Sequence, residues 1–95
     1  MIRSNRRVLV FSAHAADFCS RAGGAILRFV DAGCDVKIYD FTYGEKCESP
    51  SLWNDNPDIT LQEVKDVRRE EIEAAANVLG APIECLDFDD SPILV

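Results

Sequence analysis

A chain of 95 residues is one small domain at most, and 10 basic against 17 acidic side chains leave a formal charge of −7. A face for nucleic acid or for an anionic membrane needs an excess of Lys and Arg, so this balance argues against both as partners. An apolar share of 47% argues against intrinsic disorder, and no apolar run approaches the roughly 18–20 residues that cross a bilayer.

The start, Met1 to Arg7, is basic, but the apolar stretch Val8–Ala16 is broken by His14 and followed at once by Asp17. That is not a signal-peptide core, so the cytoplasm is the expected compartment. Cys19, Cys34, Cys47 and Cys85 stand far apart with no C-x-x-C pair, and they read as reduced, mostly packed thiols.

In chain order, Arg7–Ser12 is a continuous apolar run, the pattern of a strand covered on both faces. Asp17 is placed to cap a helix on which Phe18, Ala22, Ala25, Ile26, Phe29 and Val30 recur at helical spacing, and Gly33 closes it. Gly23 and Gly24 interrupt that helix, and adjacent glycines there predict a close approach of helix to sheet. Val36–Phe41 reads as a second strand.

From Thr42 to Ile59 the chain has no apolar period and holds Gly44, Pro50 and Pro57. A connection of that length is functional or mobile, with Trp53 as a candidate pin. Thr60-Leu-Gln-Glu63 has the form of a capping box, opening a helix that runs to Leu79 before Gly80 and Pro82 end it. Ile83–Phe88 is the third strand.

The order β-α-β-α-β implies an α/β, Rossmann-like fold with a parallel sheet and right-handed crossovers. Functional groups then gather at the carboxyl ends of the strands: Ser12–Asp17, Thr42–Glu48 and Asp89–Ser91. Three strands make a thin sheet with an open apolar edge, so residues 1–95 read as the N-terminal part of a longer domain, prone to self-association.

His14 and Asp17 share the turn between the first strand and its helix, and imidazole and carboxylate are ordinary zinc ligands. On spacing alone a capping Asp17 beside a loop histidine is the plainer reading. No glycine in Ser12–Asp17 cradles a pyrophosphate, which disfavours a dinucleotide. Asp87, Asp89 and Asp90 cluster near Pro92 and read as a solvated turn.

Together, Val-Leu-Val-Phe-Ser-Ala-His14-x-x-Asp17, Gly23-Gly24, Thr42-x-Gly44-Glu45-x-x-Glu48, Arg68-x-x-Glu71 and Leu79-Gly80 resemble the LmbE-like (PIG-L) zinc de-N-acetylase family over nearly the whole chain. The resemblance implies that His14 and Asp17 are two zinc ligands, with a third protein ligand beyond Val95. The deacetylases carry Pro-Asp between those ligands, the Asp being their general base, where this chain has Ala15-Ala16. General base catalysis is worth about 10²–10⁴-fold, and an alanine cannot supply it.

The turn His14–Phe18, with Arg21–Gly24, Gly44–Ser49 and Leu52-Trp53, is similar to the 4-oxalomesaconate hydratase branch of that family. That similarity implies a metal-dependent hydro-lyase of aromatic-acid breakdown, adding water to an unsaturated polycarboxylic acid, as a homo-oligomer. Glu48, then Glu45, are the candidate bases, with solvated loop glutamates as the plain alternative. Arg68, Arg21 and Lys46 are the candidate carboxylate partners, although Arg68 is equally placed to pair with Glu71 or Glu45 as a strut. A de-N-acetylase with another base and a non-catalytic binding module are the competing functions.

Overall fold

The computed structural model describes residues 6–46 and 49–90. Six elements follow one another: β1 (Arg7–Ser12), α1 (Asp17–Asp31), β2 (Asp35–Asp40), α2 (Pro50–Asp55), α3 (Leu61–Leu79) and β3 (Ile83–Cys85). The strands form one parallel sheet in the order β1-β2-β3, with Arg7 opposite Asp35, Ser12 opposite Asp40, and Ile38 opposite Ile83. The parallel βαβαβ arrangement expected from the sequence is the arrangement observed.

Both crossovers step the same way across the sheet, so with the usual right hand they bring α1 and α3 to the same face. There Phe18, Ile26, Val36, Ile38, Ile72, Ala76 and Leu79 make the core, with Val8 and Val10 packed against it. The other face of β1 is open among the described residues: Leu9 and Phe11 are each 60% exposed. The continuous apolar run of β1 predicts cover on both faces, and the described residues supply it on one.

The punctuation of α3 follows the sequence. Thr60 Oγ1 accepts from the Glu63 amide at 3.1 Å, and Glu63 Oε1 accepts from the Thr60 amide at 3.2 Å, closing a capping box. Gly80 ends the helix in the left-handed conformation, φ 79°, and a Cβ there would stand 3.1 Å from Val30 Cγ1 on α1.

Three expectations need correction. Asp17 does not cap α1: Ala16 holds the N-cap position without a side-chain bond, and the Asp17 carboxylate turns back into the preceding loop. The Gly23-Gly24 pair marks no close contact with the sheet. A Cβ at Gly23 would meet only Leu79 Cδ2 of α3 at 4.0 Å, and one at Gly24 nothing within 4 Å. The long connection also contains α2, a single short helix started by Pro50, whose lack of an apolar period hid it.

Trp53 on α2 does pin the loop, its Nε1 donating to the Glu45 carbonyl at 2.7 Å. The third strand is shorter than its apolar run. The chain past it still follows β2, with the Leu86 amide donating to Asp40 O and the Phe88 amide to Phe41 O, both at 2.8 Å. Cys19, Cys34 and Cys85 are unbridged, Cys19 being exposed, and Cys47 lies outside the described residues. None of the described helices is long and apolar enough to cross a membrane.

Candidate functional site

The carboxyl ends of the three strands meet at the turn carrying His14. The Ala13 carbonyl accepts from the Thr42 amide at 3.1 Å and from Thr42 Oγ1 at 2.9 Å, tying the end of β1 to the segment after β2. Asp17 Oδ2 accepts the His14 backbone amide at 3.1 Å and lies 3.3 Å from His14 Nδ1. The two side chains that the sequence pairs therefore converge, each about 30% exposed. Zinc with bonds of about 2.0–2.1 Å and tetrahedral angles sets its donors roughly 3.3 Å apart, so imidazole and carboxylate fit that ion as neighbouring ligands. Among the described residues no three His, Cys, Asp or Glu side chains converge on a metal position, so His14 and Asp17 are the two candidate donors there.

Asp90 stands on the other side of the imidazole, with Oδ1 3.6 Å from His14 Nε2. The reading of 87–90 as a solvated turn fails for this residue, which is 2% exposed. It holds in part for its neighbours: the Asp87 and Asp89 side chains are each 45% exposed and face Lys65 Nζ at 2.9 and 3.7 Å. The hydrogen bond to Asp87 raises the Lys65 ammonium above its ordinary pKa, more than burial lowers it. Asp90 is buried because the loop after β2 holds it. Its Oδ2 accepts the Lys46 amide at 3.0 Å, and its own amide donates to Glu45 Oε2 at 2.9 Å.

Glu45 is thus not a solvated loop glutamate but a wholly buried one, with Oε1 lacking any hydrogen-bond partner. Glu48, the other candidate base, lies outside the described residues. Arg68 donates to Glu71 Oε2 at 2.6 Å and to the Tyr43 carbonyl at 3.5 Å, the strut that the sequence allowed, with no bond to Glu45 described. It also lines a hollow of about 200 Å³ beside the turn that carries His14, with Ala15, Ala16, Phe18 and Ile72. Arg21 and Lys46 are exposed, and of Lys46 the described site uses only the backbone amide.

Sequence reasoning passed over Asp40. It ends β2 at 0% exposure, hydrogen-bonded by the Ser12 hydroxyl, and its second oxygen has no partner. Burial raises its pKa from 3.8 to about 7; the Ser12 hydrogen bond opposes this, the Asp17 carboxylate adds to it, and the charges of His14 and Arg68 oppose it. An acid on the last residue of a parallel strand was the available signal.

Residues 9–94 match the profile of the PIG-L family, described as GlcNAc-PI de-N-acetylase. The chain belongs to that family. It is 44% identical over 88 residues to the 4-oxalmesaconate hydratase of Pseudomonas putida KT2440, a match covering 93% of this chain and 34% of that enzyme. With the mycothiol S-conjugate amidase of Streptomyces coelicolor it shares 31% identity over 87 residues, 90% of this chain and 29% of the amidase. The crystal structure of GalB, the 4-carboxy-2-hydroxymuconate hydratase of P. putida KT2440, matches with a TM-score of 0.90 at 43% identity, over 95% of this chain and 37% of GalB. The N,N'-diacetylchitobiose deacetylase of Pyrococcus horikoshii matches with a TM-score of 0.79 at 26% identity, over 93% of this chain and 31% of the deacetylase. The chain spans about a third of the length of these relatives.

Proposed function

We propose that this chain carries the first part of the active site of a zinc-dependent hydratase, which adds water across a conjugated carbon–carbon double bond of a small unsaturated polycarboxylic acid such as 4-oxalomesaconate. One observation carries the reading. His14 and Asp17 face one another at a zinc-compatible 3.3 Å, while the intervening position at which deacetylases keep their base is Ala16. The similarity to two proteins named as hydratases supports the same choice.

Zinc, when bound, polarises a substrate oxygen or acidifies a water. His14 and Asp17 hold it, and the remaining protein ligand comes from sequence past Val95. Glu48 takes a proton from the attacking water as its oxygen bonds to one carbon of the double bond, and the other carbon takes up a proton to complete the addition. Glu45 is the weaker alternative, since one of its carboxylate oxygens already holds the Asp90 amide. Arg68 shares a hollow with Ala15 and Ala16 of the turn, where its guanidinium suits a substrate carboxylate once the Glu71 contact is shared or exchanged, and Arg21 and Lys46 extend the cationic set.

The test is hydration of 4-oxalomesaconate, followed as loss of its ultraviolet absorbance, by a full-length protein carrying this sequence. Turnover is expected, falling about 10²–10⁴-fold in Glu48→Gln. No turnover with stoichiometric zinc bound overturns the reading. Release of acetate from N-acetylglucosaminyl substrates would transfer it to the deacetylase side of the family.

A further inference from the structure

Asp90 is gripped from two sides by one short stretch of loop. Glu45 Oε2 accepts its amide at 2.9 Å, and the Lys46 amide donates to its Oδ2 at 3.0 Å. Each contact joins residues 44 or 45 positions apart in sequence, and Trp53 Nε1 on the Glu45 carbonyl braces the stretch from behind. Such a clamp fixes both the backbone and the rotation of the carboxylate, which leaves Oδ1 turned toward His14 Nε2, at an ion-pair distance of 3.6 Å.

The imidazole thus has a carboxylate on each nitrogen, and the two differ in kind. Asp17, beside Nδ1, is one-third exposed on a helix that begins at that residue, whereas Asp90, beside Nε2, is 2% exposed and clamped. A histidine that gives one nitrogen to a metal keeps its proton on the other, and a buried carboxylate at that second nitrogen fixes the ring and raises its basicity.

We propose that Asp90 is a positioning residue for His14: its carboxylate, 3.6 Å from Nε2, favours the ring form protonated there, and so presents Nδ1 beside Asp17 as a metal ligand. Glu45 belongs to the same device as the group that holds Asp90 in place. This rests on the zinc reading above.

The imidazole ¹⁵N signals of His14 are assigned by their loss in His14→Gln. Zinc chloride is titrated into a metal-free, ¹⁵N-labelled full-length protein carrying this sequence, following the two His14 ring nitrogens, for wild type, Asp90→Asn and Asp87→Asn. Asn keeps a carbonyl oxygen for the Lys46 amide but no longer offers the ring proton a carboxylate, and the amide spectrum reports whether the fold is kept. If Asp90→Asn does not fold, Asp90→Ser, which also lacks a carboxylate, is read in its place.

The expected result is that zinc moves the Nδ1 signal while Nε2 stays protonated. Asp90→Asn then raises the zinc dissociation constant ten- to a hundredfold and shifts the Nε2–H resonance. Asp87→Asn, whose carboxylate faces Lys65 instead, does neither. Equal dissociation constants and unchanged Nε2–H signals in the Asp90 variant overturn the inference alone. Wild-type ring signals that ignore zinc overturn the zinc reading and the inference with it.

Discussion

Along β2 the side chains alternate between two environments. Val36, Ile38 and Asp40 lie in the buried row that α1 and α3 cover, while Lys37 and Tyr39 stand on the other face, beside the exposed Leu9 and Phe11 of β1. The bare face is the more aromatic: Phe11 stacks on Tyr39 at 5.9 Å, and Phe41 and Phe88 continue the row. Apolar character alone therefore does not mark the core of this sheet; helix cover does. Under that cover sits one carboxyl group, Asp40, in line with aliphatic residues and at the end of the strand nearest His14.

The largest expected effect comes from that carboxyl group. A pKa raised from 3.8 to about 7 means that folded Asp40 keeps a proton which the unfolded chain releases. Its contribution to stability is whole below pH 3.8, declines as pH rises through about 7, and is flat above. At 1.36 kcal/mol per pKa unit the loss is at most about 4 kcal/mol. Asp40→Asn, which is neutral throughout, is expected to remove this slope and to gain on the wild type at pH 8. Denaturant midpoints of both proteins from pH 4 to 8 check it, and parallel curves would contradict it.

Next in size is Ile38→Ala in the same row. Ile38 is fully buried at the centre of the sheet, between the helices and both neighbouring strands. Losing its branched side chain costs about 3 kcal/mol, within the usual range of 2–5 kcal/mol for such truncations, read as a lower urea midpoint with unchanged slope. A loss below about 1 kcal/mol would mean that the covered row is not the core.

Local pattern carried most of the fold. The strand runs, the Thr60–Glu63 box and Gly80 all act within a few residues, so the chain order could be read directly. The pairing of His14 with Asp17 was legible for the same reason, since both sit in one turn. Asp90 was not, because its burial depends on Glu45 and Lys46, which meet it only after two crossovers have formed. Asp40 shows a different failure. Its alternation with Val36 and Ile38 placed it on the buried face, but the strand pattern was scored for apolar residues, and an acid at its end passed as a boundary. How much of the cover of β1 the described residues supply was not legible, because a fully apolar strand looks the same whether they cover one side or both.

The smallest effect is expected on that open face. Phe11→Ala removes an aromatic ring that is 60% exposed and whose partners, Tyr39 and Phe41, lie beside it on the sheet surface at 5.9 and 6.0 Å. Less than half of the ring's area leaves water on folding, and an aromatic pair adds about 0.5–1.5 kcal/mol, so the loss should be about 1 kcal/mol, a third of that for Ile38→Ala. Urea midpoints measured side by side give the ratio directly. A cost equal to that of Ile38 would show the aromatic face to be covered in solution, and would erase the distinction between the two sides of the sheet.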